Sequence, residues 1–422
     1  MQRNIQLEYV QILKEELVPA LGCTEPISIA YAAAKARAVL GMFPDEILVQ
    51  CSGNIIKNVK GVVVPMTKNM RGIKVAAILG AVGGDPARGL EVLTSITPAH
   101  LEKTRELLES GMCTEELLST CHCLHIIVTV KKGAESALVE ISHGHMNVVR
   151  IEKNGVALSQ NESEMEEATS AVSRDILNIS DILTFASEVD ITLVEELLEQ
   201  QISYNFAISE EGLRGLYGAS IGATLLKGFG EDVQVRAKAR AAAGSDARMS
   251  GCELPVVINS GSGNQGMTVS LPVIEYAKEL SATKEQLYRA LCVSNLVAIH
   301  QKTKIGKLSA YCGAVSAAAG AGAGIAYLHG GGLNEVSLTI TNTLANVSGI
   351  VCDGAKPSCA AKIASSIDAA IMGYVMAMQG KSFGAGEGLV KEDIEQTLDN
   401  FGDMARQGMK ETDQVILKLM TK

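Results

Sequence analysis

Residues 311–362 read YCGAVSAAAGAGAGIAYLHGGGLNEVSLTITNTLANVSGIVCDGAKPSCAAK. Three cysteines punctuate the stretch: Cys312, Cys352 and Cys359. Residues 314–328 are almost all small and apolar, and Gly330 to Gly332 follow, so the run reads as a helix with a glycine stop. A second helix is expected to start near Asn334, a good N-cap residue, and to end before Cys352. The DGAKP segment then turns the chain, and Pro357 suits the first turn of a third helix. On this reading each cysteine lies at a helix end, and packed helices can bring such ends to one point. Three thiolates at one point make a metal site. A structural zinc site wants four ligands, often in two close pairs, whereas this stretch offers one C-x6-C pair and a distant third cysteine. Thiolates also hold iron–sulfur clusters, and only three of them would leave one iron open as a Lewis acid. Three buried cysteines packing as small hydrophobes is the competing reading, and spacing alone does not separate the two.

The elements Cys312-Gly313, Cys352-Asp353 and Cys359, set around a Gly/Ala-rich helix, resemble the iron–sulfur L-serine dehydratases. Within that superfamily the resemblance is strongest to the L-cysteine desulfidases, and it extends over most of the chain. It implies a [4Fe-4S] cluster on the three cysteines with one iron free for substrate. Near the N-terminus, LGCTEP places Thr24 to cap a helix running to about Leu40, with Pro26 in its first turn. Cys23 therefore precedes a helix N-terminus, where the dipole favours a thiolate and lowers the thiol pKa. A buried cysteine at a turn fits the same residues. LGCTEP resembles the N-terminal active-site motif of the desulfidases, in place of the Ser-rich motif of serine dehydratases. That resemblance points to the desulfidase branch.

At 422 residues the chain is long enough for two domains and a large core. Hydrophobic residues at 47% and charged residues at 20% fit a globular protein. Aromatics are only 4%, tryptophan is absent and glycine numbers 41, so helices are expected to pack closely through small residues. The net charge of −10 disfavours nucleic-acid binding. The N-terminal MQRNIQLEYVQILKEE has no apolar signal core, and the Gly/Ala-rich run after Cys312 is too short and weakly apolar for a membrane span. A cytoplasmic location follows as the expectation, with ten cysteines serving as ligands, catalysts or core residues rather than disulfides.

Along the chain, Ile5, Val10, Leu13 and Leu17 recur at helical spacing. Residues 46–51 read as a strand, and SGNIIKN follows as a polar loop. Its Asn54, Lys57 and Asn58 carry donors suited to a carboxylate, and the segment resembles part of the desulfidase pattern. Residues 75–82 read as a helix end broken by GGDP. Residues 124–130 and 137–141 alternate as strands joined by KKGAES, and 147–151 offer a third, so a small antiparallel sheet is expected. His143-Gly144-His145 resembles the Gly-His-Gly loop of serine dehydratases, which implies an active-site place for His145. In CHCLH, strand alternation would put Cys121, Cys123 and His125 on one face, with packing the expected role because no fourth ligand is near.

Residues 161–188 are polar and mark the expected passage between a mixed α/β domain at 1–190 and a helical domain at 191–422. The fold class is α+β. Helices are expected at 213–226, 233–243 and 284–301, the last from the capping pattern Thr283-x-x-Gln286, with Cys292 a core residue. A charged amphipathic helix at 391–420 is expected to break near Gly402. Between them, residues 258–266 read INSGSGNQG, whose glycines let backbone N–H groups approach an anion. A flexible loop fits too. In the resembled superfamily a Gly/Asn-rich loop here faces the substrate, which implies Ser262 and Asn264 at the site.

These readings converge on an iron–sulfur α,β-elimination lyase taking L-cysteine to sulfide, pyruvate and ammonia. Cys23 is the first candidate for the base and His145 the second. Asn54, Lys57, Asn58, Ser262 and Asn264 would hold the substrate's carboxylate or amine, and Asn264 can both donate and accept. Three alternatives stay open. One is an iron–sulfur L-serine dehydratase. Another is a pyridoxal-phosphate lyase with Lys302, Lys304 or Lys307 as the Schiff-base lysine. The third is a non-enzymatic cluster sensor, although no basic helix-turn-helix is visible. The expected partner is a small amino acid, with neither nucleic acid nor membrane, and a homo-oligomer stays open.

Overall fold

The computed structural model describes residues 1–120, 122–160, 172–306 and 309–421. Its strands are β1 (Pro19–Leu21), β2 (Glu46–Cys51), β3 (Cys113–Leu117), β4 (His125–Lys132), β5 (Glu135–Ser142), β6 (Val148–Lys153), β7 (Val156–Gln160) and β8 (Pro255–Val257). Six of them form one sheet in the order β3-β2-β4-β5-β6-β7. The β2/β3 pair is parallel and the other neighbours are antiparallel. Beyond residue 190 the chain is helical except for β8. The architecture is therefore α+β, as the alternation and helical periodicities indicate, with a larger and mixed sheet. The parallel strand β3 is Cys-Thr-Glu-Glu-Leu and carries no alternation that would mark it.

Two very short strands tie distant parts of the chain. Pro19–Leu21 pairs antiparallel with Pro255–Val257, so Pro19 sits opposite Val257 and Leu21 opposite Pro255. This pairing brings LGCTEP beside the INSGSGNQG turn. Three-residue strands have no periodicity to read, and the sequence gives no sign of them.

The helix Gly313–Leu328 is the centre of the helical part. Residues from Ala314 to Ala326 are buried, and the helix packs on Lys284–Ile305, Cys359–Met378, Leu333–Val347 and Gly263–Glu279. Alanine and glycine at nearly every position let four helices approach one axis, as the low aromatic content suggests. Cys359–Met378 is long and apolar enough to cross a membrane by length and composition alone, and half of it is buried inside the protein. The Thr283/Gln286 capping box is present, and Cys292 is buried in that helix.

Several local expectations are corrected. SGNIIKN is not a loop: Gly53–Lys60 is a helix, because Ile55 and Val59 recur four apart and are fully buried. The helix expected at 213–226 is two helices, Glu195–Arg214 and Ile221–Phe229, separated by a turn in which Gly218 and Ser220 take positive φ. The expected helix end near Val82 is a complete helix, Ile73–Gly83. The C-terminal helix is Ile394–Asp403, a π-helical turn at Met404–Gly408, and Lys410–Thr421. In CHCLH, β4 begins only at His125, and Cys123 lies outside it and is exposed. There is thus no strand to align Cys123 with His125, and Cys121 lies outside the described residues. Residues 161–171 of the polar passage also lie outside them. Its end is the helix Ile179–Glu188, which buries Ile182 and Phe185.

Candidate active site

The cysteine stretch closes on itself through one isolated antiparallel bridge, Tyr311 opposite Val351. Cys312 N–H donates to Ile350 O at 3.0 Å, and Cys352 N–H donates to Ala310 O at 2.6 Å. That bridge, rather than a helix end, sets Cys352 beside Cys312. Cys312 is the N-cap of Gly313–Leu328, and Cys359 is the first residue of Cys359–Met378. Pro357 lies in the turn ahead of that helix, its carbonyl accepting from Ala360 N–H at 3.2 Å, and not in the first helical turn as expected. The intervening loop is braced by Asp353, whose carboxylate pairs with both Lys356 and Lys362. These ammonium groups hold the Asp353 carboxyl down at about 2 against the opposing effect of burial.

The facing wall comes from the first half of the chain. Cys23 is the N-cap of the helix Thr24–Leu40 and is buried. It packs in a small apolar group with Val62 and Met249, against Ala355 and Cys359. On Gly53–Lys60, the residues Asn54, Lys57 and Asn58 fall three and four apart and so share one face. Lys57 pairs with Asp413 of the last helix, and its Nζ donates to Cys352 O at 3.4 Å. Asn58 Nδ2 donates to Glu25 Oε1 at 3.1 Å. Gly354 has φ +93, and a Cβ there would lie 2.3 Å from Lys57 O, so only glycine lets the cysteine loop lie against this helix.

The third wall is the INSGSGNQG turn. Asn259 and Ser262 bridge across it, and Gly263 starts the next helix with Ser262 as N-cap. Thr24 Oγ1 donates to Gly261 O at 3.0 Å, and Ser28 Oγ donates to His145 O at 2.7 Å. A Cβ on Gly261 would meet His145 Cε1 at 3.1 Å, so the His145 ring lies directly against this turn. Arg248 runs beneath it, its Nε donating to Gly22 O at 2.9 Å and its Nη1 to Asn264 Oδ1 at 3.2 Å.

One cavity joins these walls. All ten residues singled out in the sequence line it: Cys23, Asn54, Lys57, Asn58, His145, Ser262, Asn264, Cys312, Cys352 and Cys359. Sequence reasoning missed Glu25, Arg248, Gln265 and Tyr311, and weighed Lys302 only as a Schiff-base lysine; all five line the same cavity. Glu25 stands inside LGCTEP itself. Arg248 offered a signal too, being a charged residue in the alanine-rich helix Val233–Met249, whose second half is wholly buried. Lys304 pairs with Asp399 away from the cavity, and Lys307 lies outside the described residues.

Burial governs the electrostatics. It pushes the Cys312 thiol up to about 12, with Cys352 adding in the same direction, and it raises Cys359 as well. The helix dipole was expected to lower Cys23; burial instead pushes this thiol up to about 12, while Arg248 pulls the other way. The Lys302 ammonium is held down at about 8 by burial, opposed by the Cys352 and Cys312 thiols. Asn54 Oδ1, Gln265 Oε1 and Tyr311 Oη are buried polar atoms on the cavity wall with no hydrogen-bond partner among the described residues. Buried polar groups are rarely left so unless something else fills the space.

Among the described residues no three His, Cys, Asp or Glu side chains converge tightly enough to hold a single metal ion. An iron–sulfur cluster makes a different demand, since it spreads its thiolates over separate irons. Three cysteines on one cavity wall, with Lys302 on the same wall and Lys362 pulling the Cys312 and Cys359 thiols down against burial, are a donor set and charge balance that fit such a group.

The family profile of the serine dehydratase alpha chain matches residues 87–418. The chain belongs to that family. His145, Ser262, Asn264 and the three cysteines lie inside the matched residues, whereas Cys23 and Gly53–Lys60 lie before them. Similar proteins extend over both parts. A UPF0597 protein of Lachnoclostridium phytofermentans is 59% identical over 412 residues, covering 97% of this chain and 98% of its own. One from Desulfitobacterium hafniense is 52% identical, covering 98% and 96%. One from Treponema denticola is 49% identical, covering 98% of each. Membership of the serine dehydratase alpha chain family points to lyase-like chemistry for this cavity.

Proposed function

We propose that the protein is a [4Fe-4S]-dependent L-cysteine desulfidase. L-cysteine loses its α-proton and its β-sulfur, as sulfide, to give aminoacrylate, which takes up water and yields pyruvate and ammonia. The observation that carries this reading is that Cys312, Cys352 and Cys359 share one cavity with Cys23 and His145. Cys312, Cys352 and Cys359 would hold the cluster. When bound, it would supply an open, sulfur-tolerant Lewis-acid iron that polarises the leaving group.

The protein's own groups account for the remaining work. Cys23 Sγ would take the α-proton, and the Arg248 guanidinium favours its thiolate against burial. His145, held at its carbonyl by Ser28 and stacked on Gly261, is the second proton acceptor. Asn54 Oδ1 and Gln265 Oε1 offer acceptors to the bound amino acid. The apolar packing of Val62, Met249 and Ala355 keeps water from Cys23. A soft sulfur leaving group suits iron better than a hydroxyl does, so L-cysteine is favoured over L-serine. The test is sulfide and pyruvate release by anaerobically purified protein. A higher kcat/KM for L-serine than for L-cysteine would make it a serine dehydratase instead.

A pyridoxal-phosphate lyase is the second reading, and Lys302 is what favours it. This lysine is 5% exposed, faces the cavity and has no hydrogen-bond or ion-pair partner among the described residues. Borohydride reduction that left the cofactor attached to Lys302 would establish that reading and remove the first.

A further inference from the structure

Besides Lys302, the cavity that Cys23 lines holds one cation, Arg248, and one anion, Glu25, that have no ion-pair partner among the described residues. Arg248 is 2% exposed. Its guanidinium carries five N–H groups, of which one goes to the Gly22 carbonyl and one to Asn264 Oδ1. No carboxylate meets it among the described residues. It lies against the start of the helix Gly263–Glu279, where a Cβ on Gly263 would sit 2.5 Å from its Nε. Glu25 is 9% exposed. It accepts from Asn58 Nδ2 at 3.1 Å, and the Thr24 hydroxyl lies 3.2 Å from its Oε2, yet no cation meets it among the described residues. Both charged groups line the same cavity as Cys23, and Glu25 stands two residues after it in the chain.

A buried charge without a partner is costly, and two of opposite sign left apart across a cavity are costlier still. Neutral groups hold each one in place: a backbone carbonyl and an amide for Arg248, an amide and a hydroxyl for Glu25. Lys57, by contrast, is already matched by Asp413. The ligand that satisfies both poles is one carrying a carboxylate and an ammonium on neighbouring atoms.

We infer that Arg248 and Glu25 are the two poles that read an α-amino acid zwitterion, Arg248 taking the carboxylate and Glu25 the ammonium. Arg248 offers its remaining guanidinium N–H groups in the planar fork that suits a carboxylate. Glu25 stands in the first turn of Thr24–Leu40 and offers its carboxylate oxygens as acceptors to a cation. Between the two poles the Cα–H of the bound amino acid is presented to Cys23. Asn264 and Asn58 then act as positioning residues that aim the poles. The inference rests on the amino-acid lyase reading above.

The experiment uses three ligands that cannot react: L-alanine, propionate and ethylamine. Their binding to anaerobically purified protein is measured by calorimetry for wild type, Arg248→Gln and Glu25→Gln, with circular dichroism to confirm the fold. L-alanine should bind the wild type and weaken by about 10- to 100-fold in each variant. Propionate should weaken only in Arg248→Gln, and ethylamine only in Glu25→Gln. If Arg248→Gln does not fold, Arg248→Lys keeps the charge without the fork and should show the same contrast in smaller measure. Failure of the wild type to bind L-alanine overturns the inference. So does unchanged L-alanine affinity in both variants, or equal loss of propionate in both. Turnover of L-cysteine in the same samples separates this from the reaction itself. The expected binding pattern without sulfide release would sink the elimination and leave the two poles standing. Sulfide release with an unmoved KM in both variants would do the reverse.

Discussion

Two groups of cysteines, one fully buried and the other buried or half-buried, keep opposite company. Cys51 and Cys113 sit on neighbouring strands of the sheet, and Cys292 lies inside a packed helix. Cys23, Cys312, Cys352 and Cys359 line one cavity. Burial pushes Cys113 and Cys292 up to about 12, as it does Cys23 and Cys312. Thiol acidity therefore does not distinguish a structural cysteine from a working one in this chain. What distinguishes them is the surroundings: unmatched cations, unpartnered polar atoms and loops held by specific bridges on one side, aliphatic packing on the other. All nine described cysteines are free, so no disulfide separates the groups either.

The largest expected effect breaks the cavity group. Cys312→Ala, Cys352→Ala or Cys359→Ala should each remove bound iron and abolish lyase activity. Cys51→Ala and Cys292→Ala should keep both and cost only about 1–2 kcal/mol of stability, the usual scale for a small core deletion. Iron analysis, turnover and denaturant unfolding on the five variants check this. Equal iron loss in both groups would erase the distinction.

Next comes Cys23, which shares the cavity without being assigned to hold iron. Cys23→Ala should keep the iron and lose ~10²–10⁴-fold in turnover, the usual contribution of a positioned base. Cys23→Ser should be nearly as poor, since a hydroxyl scarcely ionises at neutral pH. A near-wild-type rate for Cys23→Ala would transfer the role to His145.

The unmatched Lys302 sharpens the contrast between stability and function. Its folded pKa lies near 8, below the ordinary lysine value. Its neutral form is thus favoured on folding, and the stabilising contribution present above pH 10.5 is lost as pH falls through 8. At pH 7 the charged side chain is a liability on the order of 3 kcal/mol. Lys302→Met should therefore raise the stability of iron-free protein at pH 7 while lowering turnover of the loaded protein. A variant that lost stability instead would mark Lys302 as structural.

The smallest effect concerns Asp246, buried outside the cavity, where Gly222 N–H donates to its Oδ2 at 3.2 Å. Burial raises its carboxyl from 3.8 to about 6. The raised pKa contributes stability below pH 3.8 that is lost as pH rises through 6. Asp246→Asn should stabilise the protein by at most about 3 kcal/mol at pH 8, and the gain should vanish towards pH 4. Unfolding midpoints at the two pH values read this directly. A gain independent of pH would contradict it.

The cavity was legible in the sequence to an unusual degree because its residues come in short dense motifs. LGCTEP, SGNIIKN, HGH, INSGSGNQG and the three cysteines each contribute a wall. What the sequence hid was how these walls meet. The β1/β8 pair and the Tyr311/Val351 bridge carry that information, and both are too short to leave a periodic trace. The helical nature of Gly53–Lys60 was hidden by its polar composition, although that helix is what aligns Asn54, Lys57 and Asn58. Arg248 was passed over because an alanine-rich helix draws attention to packing rather than to the charged side chains it buries, Asp246 and Arg248.

The central claim is that Cys312, Cys352 and Cys359 hold a cluster on which turnover depends. Its most direct test is iron and acid-labile sulfide content, measured with the visible spectrum and L-cysteine turnover on one anaerobic preparation. The account predicts brown protein with about four irons and four sulfides per chain, bleaching in air together with its activity. A colourless, iron-free protein that releases sulfide at the full rate would contradict it.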